Sequence, residues 1–246
     1  VIQKELNYEV IGEGFPMIFI HGFLENKTMW NNALAYYAPK NKCVLIELFG
    51  HGDSPDYSEA LTIEILAKKV LSVIHKEVNG NYSIVGHSLG GYVGLEILDI
   101  DTENVQQLIL LNSHPWADSE EKKAERTRVA QIVQENKSLF IQQAIPNLFR
   151  EQQGNKQIIA DLIESAKRMS AKAISAATFA MRDREDRTII MIANPQKVAV
   201  VQGENDHLIP AKRMEEFCIT HDISYRLITG GDHMCWVDKS IYPLFL

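Results

Sequence analysis

A serine at position 88 stands in Gly86-His87-Ser88-Leu89-Gly90, directly after the apolar run Tyr82 to Val85 and just before a helix-forming stretch, Tyr92 to Ile97. Small residues two positions either side of a serine let the chain turn sharply from strand into helix without backbone clash, leaving the hydroxyl exposed above the sheet. A serine hydroxyl at neutral pH is a weak nucleophile. It needs a base, a group to orient that base, and donors for the negative charge that develops on an attacked carbonyl. Two later loops carry suitable residues. Gln202-Gly203-Glu204-Asn205-Asp206 follows the β-forming run Lys197 to Val201, and Gly230-Gly231-Asp232-His233 follows Tyr225 to Thr229. The chemistry open to these residues is acyl transfer through an ester formed on Ser88, with Asp206 and His233 heading the candidates for acid and base.

Other residues compete for the same roles. Glu204 stands two residues before Asp206, and Asp232 adjoins His233, a position that usually points elsewhere. His207 neighbours the acid and His87 flanks the serine without being placed to take its proton, so both read as local hydrogen-bonding residues. His21 and His51 precede glycines near strand ends, but no His-x-x-x-His or His-Glu-x-x-His spacing occurs, and no metal is expected. Cys43, Cys218 and Cys235 are too few and scattered for a disulfide framework, and Cys235 reads as a small buried hydrophobe. Ser113, His114 and Trp116 follow the strand-like run ending at Leu111 and are placed to line a pocket, with a supporting role beside the serine, acid and base as the alternative for Ser113. Arg126 and Arg128, two apart, sit on different helix faces and read as solvated surface.

For the serine and the two loops to meet, each must emerge from the carboxyl end of a strand in one sheet. Seven runs read as strands: Glu5 to Val10, Met17 to Ile20, Cys43 to Leu48, Tyr82 to Val85, Gln107 to Leu111, Lys197 to Val201 and Tyr225 to Thr229. Several are continuously apolar, as parallel strands buried on both faces are. Helical patterns fall at Met29 to Tyr37, Thr62 to Glu77, Leu89 to Ile97, Ala211 to Ile219 and around Trp236. The second spaces Ile63, Leu66, Ala67, Val70, Leu71 and Ile74 along one helix face and stops at Asn79-Gly80. Asp118 to Arg184 breaks this rhythm. It is polar and helix-forming, with Ser119 and Asn155 as N-caps and breaks near Asn136, Pro146 and Gly154, which predicts three or four helices. Leu148, Phe149, Met169, Phe179 and Met181 could give it an apolar underside. The architecture expected is α/β, a doubly wound and mostly parallel sheet in a single domain (residues 1–246), with a helical lid at residues 114–187 inserted after the sixth strand.

The chain of 246 residues is 46% hydrophobic and 23% charged, with a net charge of −7. That composition is globular, and without a run of Lys or Arg it offers nothing to a nucleic acid or an anionic membrane. No stretch approaches the ~20 apolar residues of a membrane span. No secretory segment opens the sequence as given, which starts at Val1 rather than Met, and its cysteine usage suits a reducing cytoplasm.

The sequence resembles the α/β-hydrolase family over essentially its whole length. Besides the serine turn and the Ser, Asp, His order, it has Ile20-His21-Gly22-Phe23 where the family builds its oxyanion hole. Gly50-His51-Gly52-Asp53-Ser54 resembles a structural G-x-G-x-S turn of lidded members. The resemblance implies Ser88 as nucleophile, Asp206 as acid, His233 as base, and the backbone N–H groups of Phe23 and Leu89 as oxyanion donors. Leu24, His87, Ser113 and Trp116 are expected on the substrate wall, and neither metal nor cofactor is expected. The substrate implied is a small-molecule ester or lactone, with no nucleic acid or membrane partner. Two other readings stay open: a lyase similar to the family's menaquinone-pathway member, whose elbow typically lacks the histidine seen at His87, and a ligand-binding receptor that keeps the triad.

Overall fold

Strands β1 (Tyr8–Ile11), β2 (Phe15–Ile20), β3 (Asn41–Ile46), β4 (Tyr82–His87), β5 (Val105–Leu111), β6 (Val198–Gly203) and β7 (Ser224–Ile228) form one sheet in the order β1-β3-β2-β4-β5-β6-β7. The structure is a computed structural model and describes residues 5–57 and 59–245. β1 runs antiparallel to β3, and every other neighbouring pair is parallel. Alternate strand residues feed two cores. Ile18, Ile20, Val44 and Ile46 belong to one, with helices α2 (Ile63–Glu77) and α3 (Leu89–Ile100), while Met17, Phe19, Cys43 and Leu45 belong to the other, with α1 (Asn31–Tyr37). α2 starts where Thr62 caps it, its hydroxyl accepting the Ile65 N–H at 3.1 Å, and buries the face read from its spacing.

Parallel register aligns the strand ends that matter. Ile20 pairs with Gly86, His87 with Leu111, and Leu111 with Val201, so the loops after β2, β4, β5 and β6 emerge side by side. Between β2 and β4 the chain reverses its direction of travel across the sheet, because β2 connects outward to β3 and β4 to β5. Such a switch point opens a crevice at the carboxyl ends of the strands.

The helical insertion leaves the sheet after the fifth of the seven strands, not the sixth. Among the described residues only β1 to β5 precede it, and it comprises α4 (Glu120–Ala144), α5 (Lys156–Arg168), α6 (Ala171–Arg182) and α7 (Thr188–Ala193). Ser119 caps α4 through the Lys122 N–H, and Asn136, at φ −151°, kinks it. Asn155 stands at the N-cap of α5 without making a cap bond; its amide donates to the Glu151 carbonyl instead. The region around Trp236 is not an α-helix but two 3-10 turns, Cys235–Val237 and Lys239–Phe245, the second containing Pro243, which cannot donate to an α-helical bond. Helix α8 (Ala211–Thr220) leads from β6 to β7. Among the described residues no helix is long and apolar enough to cross a membrane.

Candidate active site

Ser88 sits at the turn between β4 and α3 with φ 48° and ψ −111°, outside the ordinary range for a residue with a side chain. Neighbouring backbone holds it there. Its N–H donates to the Leu111 carbonyl at 3.0 Å, and its own carbonyl accepts the Ser113 hydroxyl at 2.8 Å. Ser113 is fully buried behind the turn and off the cavity wall, so it braces the elbow rather than lining a substrate wall as expected. The flanking glycines are sterically required. A Cβ on Gly86 would lie 2.4 Å from the Gly90 carbonyl oxygen, and one on Gly90 would lie 2.2 Å from that of Ile20. Because both obstacles are backbone, Gly90→Ala is expected to destabilise the fold by about 1–3 kcal/mol in urea unfolding; an unchanged midpoint would mean that β2 gives way freely.

His233 and Ser88 border the same cavity, and His233 Nδ1 lies 2.9 Å from Asp206 Oδ2. Asp206 is buried, and its carboxylate also accepts the Asn112 amide (2.7 Å), the Gln202 amide (3.0 Å) and the N–H groups of Leu208 and Ile209. Burial alone would raise its pKa, but the opposing His233, the Asn112 amide and the Leu208 N–H hold the carboxyl well below the usual carboxylate range. A carboxylate on Nδ1 fixes that nitrogen as the donor and leaves Nε2 as the nitrogen able to accept a proton. The rivals are engaged elsewhere. Glu204 accepts the Gly230 N–H, Asp232 accepts those of Arg150 and Met234, and His207 is exposed. Asn112, which follows β5 at φ 45° and whose amide oxygen accepts the Cys235 thiol, is not singled out by the sequence; its one signal is a polar residue directly after an apolar strand.

The candidate oxyanion donors are the N–H groups of Phe23, a cavity-lining residue on the loop after β2, and Leu89, the first residue of α3. Neither is donated to a protein acceptor among the described residues. Two unpaired N–H groups near a helix N-terminus suit a developing oxyanion. Leu24 does not reach the cavity. It adopts φ 64°, and its side chain is buried in the core cluster that holds Met29 and Trp30.

His87 does face the cavity, yet both ring nitrogens are taken, by Glu25 Oε2 at 2.8 Å and by the His233 carbonyl oxygen at 2.9 Å. It therefore has no free nitrogen for substrate. Burial opposes its protonation, but the Glu25 carboxylate and the His233 carbonyl outweigh burial and raise its pKa. Glu25 also accepts the Gly22 N–H at 2.5 Å and the Trp236 indole N–H at 3.1 Å. One buried carboxylate thus links the loop after β2, the elbow and the His233 loop, a role that sequence reading did not assign. His21 lies beneath, bonded to the Gly22 carbonyl and the Leu48 N–H, and beside it burial pushes His51 down to about 4.

The cavity has a volume of about 490 Å³, within the range of small-molecule sites. Trp116 lines it as expected, and Leu148 and Met181 of the insertion face it; Phe149 and Met169 are core residues, and Phe179 borders a separate hollow. Arg126 is a wall residue bonded to Asp118, not solvated surface. Among the described residues no group of three or more His, Cys, Asp or Glu side chains could hold a metal ion.

A doubly wound sheet with a serine elbow at its switch point, an acid loop after β6 and a histidine loop after β7 defines a class of α/β proteins. Residues 17–240 match the model of the alpha/beta hydrolase family, and the chain belongs to that family. It is 34% identical over 110 residues to an uncharacterised protein of Mycobacterium tuberculosis, covering 43% of this chain and 31% of that one. It is 29% identical over 113 residues to the pimeloyl-[acyl-carrier protein] methyl ester esterase of Nitrosomonas europaea, covering 46% and 43%. The chain thus spans less than half the length of these curated relatives. Solved structures match nearly throughout. A thermophilic esterase from Thermogutta terrifontis has a TM-score of 0.89 at 24% identity, covering 97% of this chain and 90% of that one. The enol-lactonase from Burkholderia xenovorans LB400 has 0.86 at 17%, covering 98% and 94%.

Proposed function

We propose that the protein is a serine hydrolase that cleaves a small carboxylic ester or lactone. The observation that carries this reading is the His233–Asp206 pair at 2.9 Å, set at the same cavity as the strained Ser88. His233 takes the Ser88 proton as the hydroxyl attacks the carbonyl, and the Phe23 and Leu89 N–H groups stabilise the oxyanion. His233 then protonates the leaving group, and water activated by the same imidazole releases the acid from Ser88. Asp206 stays ionised throughout, holding the tautomer and balancing the imidazolium. The insertion between β5 and β6 acts as a cap, contributing Leu148 and Met181 to the wall over the cavity. The esterases and the enol-lactonase among its relatives act on substrates of this class.

The direct test is intact mass after exposure to a fluorophosphonate, with peptide mapping, beside turnover of short-chain p-nitrophenyl esters. A single adduct on Ser88 together with turnover is the expected result. An adduct without turnover would move the assignment to a lyase or a receptor. Asp206→Asn should retain the site's shape but lower kcat by about 10²- to 10⁴-fold, because an amide imposes the wrong tautomer on His233; a loss under threefold in steady-state assays would remove Asp206 from the mechanism.

A further inference from the structure

One wall of the cavity carries more positive charge than its own side chains balance. The cavity's two carboxylates among the described residues are Glu25, which is taken by His87, and Asp118, which Arg126 shares with Arg184, seated behind the wall at 2.7 Å. Arg213, in the first turn of α8, has no ion-pair partner among the described residues; its guanidinium lies 3.8 Å from the centre of the Trp116 ring. Lys122 is matched by Glu125. Arg126 and Arg213 therefore face the cavity with Asp118 as the one carboxylate paired to either among the described residues, and Asp118 is shared with Arg184, which lies behind the wall over the Tyr92 ring at 4.2 Å.

The wall is built, not incidental. Tyr92, one helical turn beyond Ser88, bonds to His114 Nε2 at 3.1 Å; His114 stacks on Trp116 at 5.0 Å, and Trp116 carries Arg213. The series runs from the helix behind the nucleophile to the rim. His114 reports the potential there: burial, then the charges of Arg184, Arg213 and Arg126, hold it well below its ordinary pKa, so it remains neutral. A guanidinium held over an indole by cation–π attraction still has N–H groups to offer the two parallel hydrogen bonds a carboxylate accepts.

We infer that this wall is an anion subsite and that the substrate is an ester or lactone bearing a carboxylate remote from the scissile bond, received by Arg213 beside Arg126. The inference rests on the hydrolase reading but names what that reading leaves open.

Two probe pairs test it: p-nitrophenyl hydrogen glutarate against p-nitrophenyl valerate, for a carboxylate on the acyl side, and the acetyl ester of p-hydroxybenzoate against phenyl acetate, for one on the leaving side. In at least one pair the wild type should favour the anionic ester in kcat/KM by about tenfold, and raising NaCl should shrink that preference. Arg213→Gln should cut the ratio about fivefold or more, and Arg213→Lys should restore part of it. Equal rates within both pairs, or an Arg213→Gln variant that slows both members alike, would overturn the inference. Hydrolysis of the neutral esters reads the underlying activity separately. Calorimetric binding of glutarate reads the subsite without turnover: weaker binding to Arg213→Gln supports it, and equal binding rejects it.

Discussion

Ser88→Ala is expected to lower kcat by about 10⁴- to 10⁶-fold, with complete loss of the fluorophosphonate adduct. The size follows from the role assigned to the hydroxyl. Without it no acyl-enzyme forms, and the residual rate is what the oxyanion donors and bound water can supply. The fold should survive. Alanine keeps the same Cβ at φ 48°, so the strain is unchanged, and the Ser88 side chain makes no cap bond to α3 that could be lost. The Ser113 brace acts on the Ser88 carbonyl, which the substitution leaves in place. Substrate affinity should therefore remain close to wild type while turnover collapses, a split read by equilibrium binding beside steady-state kinetics. A variant that keeps a tenth of the activity would rule out Ser88 as the nucleophile.

The elbow was legible because its requirements are local: a strand, two glycines and a helix within a dozen residues each leave a sequence mark. Asp206 and His233 were legible one step less directly, because each follows a strand and the strand ends align. Pocket residues were legible only in part: His87, Trp116, Leu148 and Met181 do border the cavity, but which side chain turns inward depends on contacts far along the chain. Ser113 and Leu24 were placed on the substrate wall from proximity in sequence, but one braces the elbow from behind and the other is buried in the core. Arg126 was assigned to solvent because helix spacing says nothing about Asp118, which waits on the loop before the helix. Arg213 left no mark at all; it joins Trp116 only through the tertiary approach of α8 to the loop after β5. The insertion was recognised from composition, and the five strand-like runs that precede it already put it after the fifth strand rather than the sixth.

Glu25 is the residue whose loss should damage the fold most at a single polar position. Glu25→Ala removes the partner of a buried imidazolium and strands the Gly22 N–H and the Trp236 indole N–H, a loss of about 3–5 kcal/mol by analogy with broken buried pairs. Glu25→Gln keeps acceptor and shape but not charge, and should cost about 1–3 kcal/mol. The pH dependence separates charge from packing. Because the His87 pKa is raised in the fold, the stability owed to its protonation is fully present below its unfolded value of about 6.5 and is lost as pH rises through the higher folded value. The stability gap between wild type and Glu25→Gln, read by urea unfolding, should therefore be widest below the unfolded value of about 6.5 and narrow as pH rises above it. A gap that stays constant would mean that Glu25 acts only as a packed acceptor. Since Glu25 accepts from His87 and His87 donates to the carbonyl of His233, the same variant should lower kcat more than it changes KM. The carboxylate would then contribute by holding the base over Ser88, and its effect would reach the chemistry through the position of one backbone oxygen.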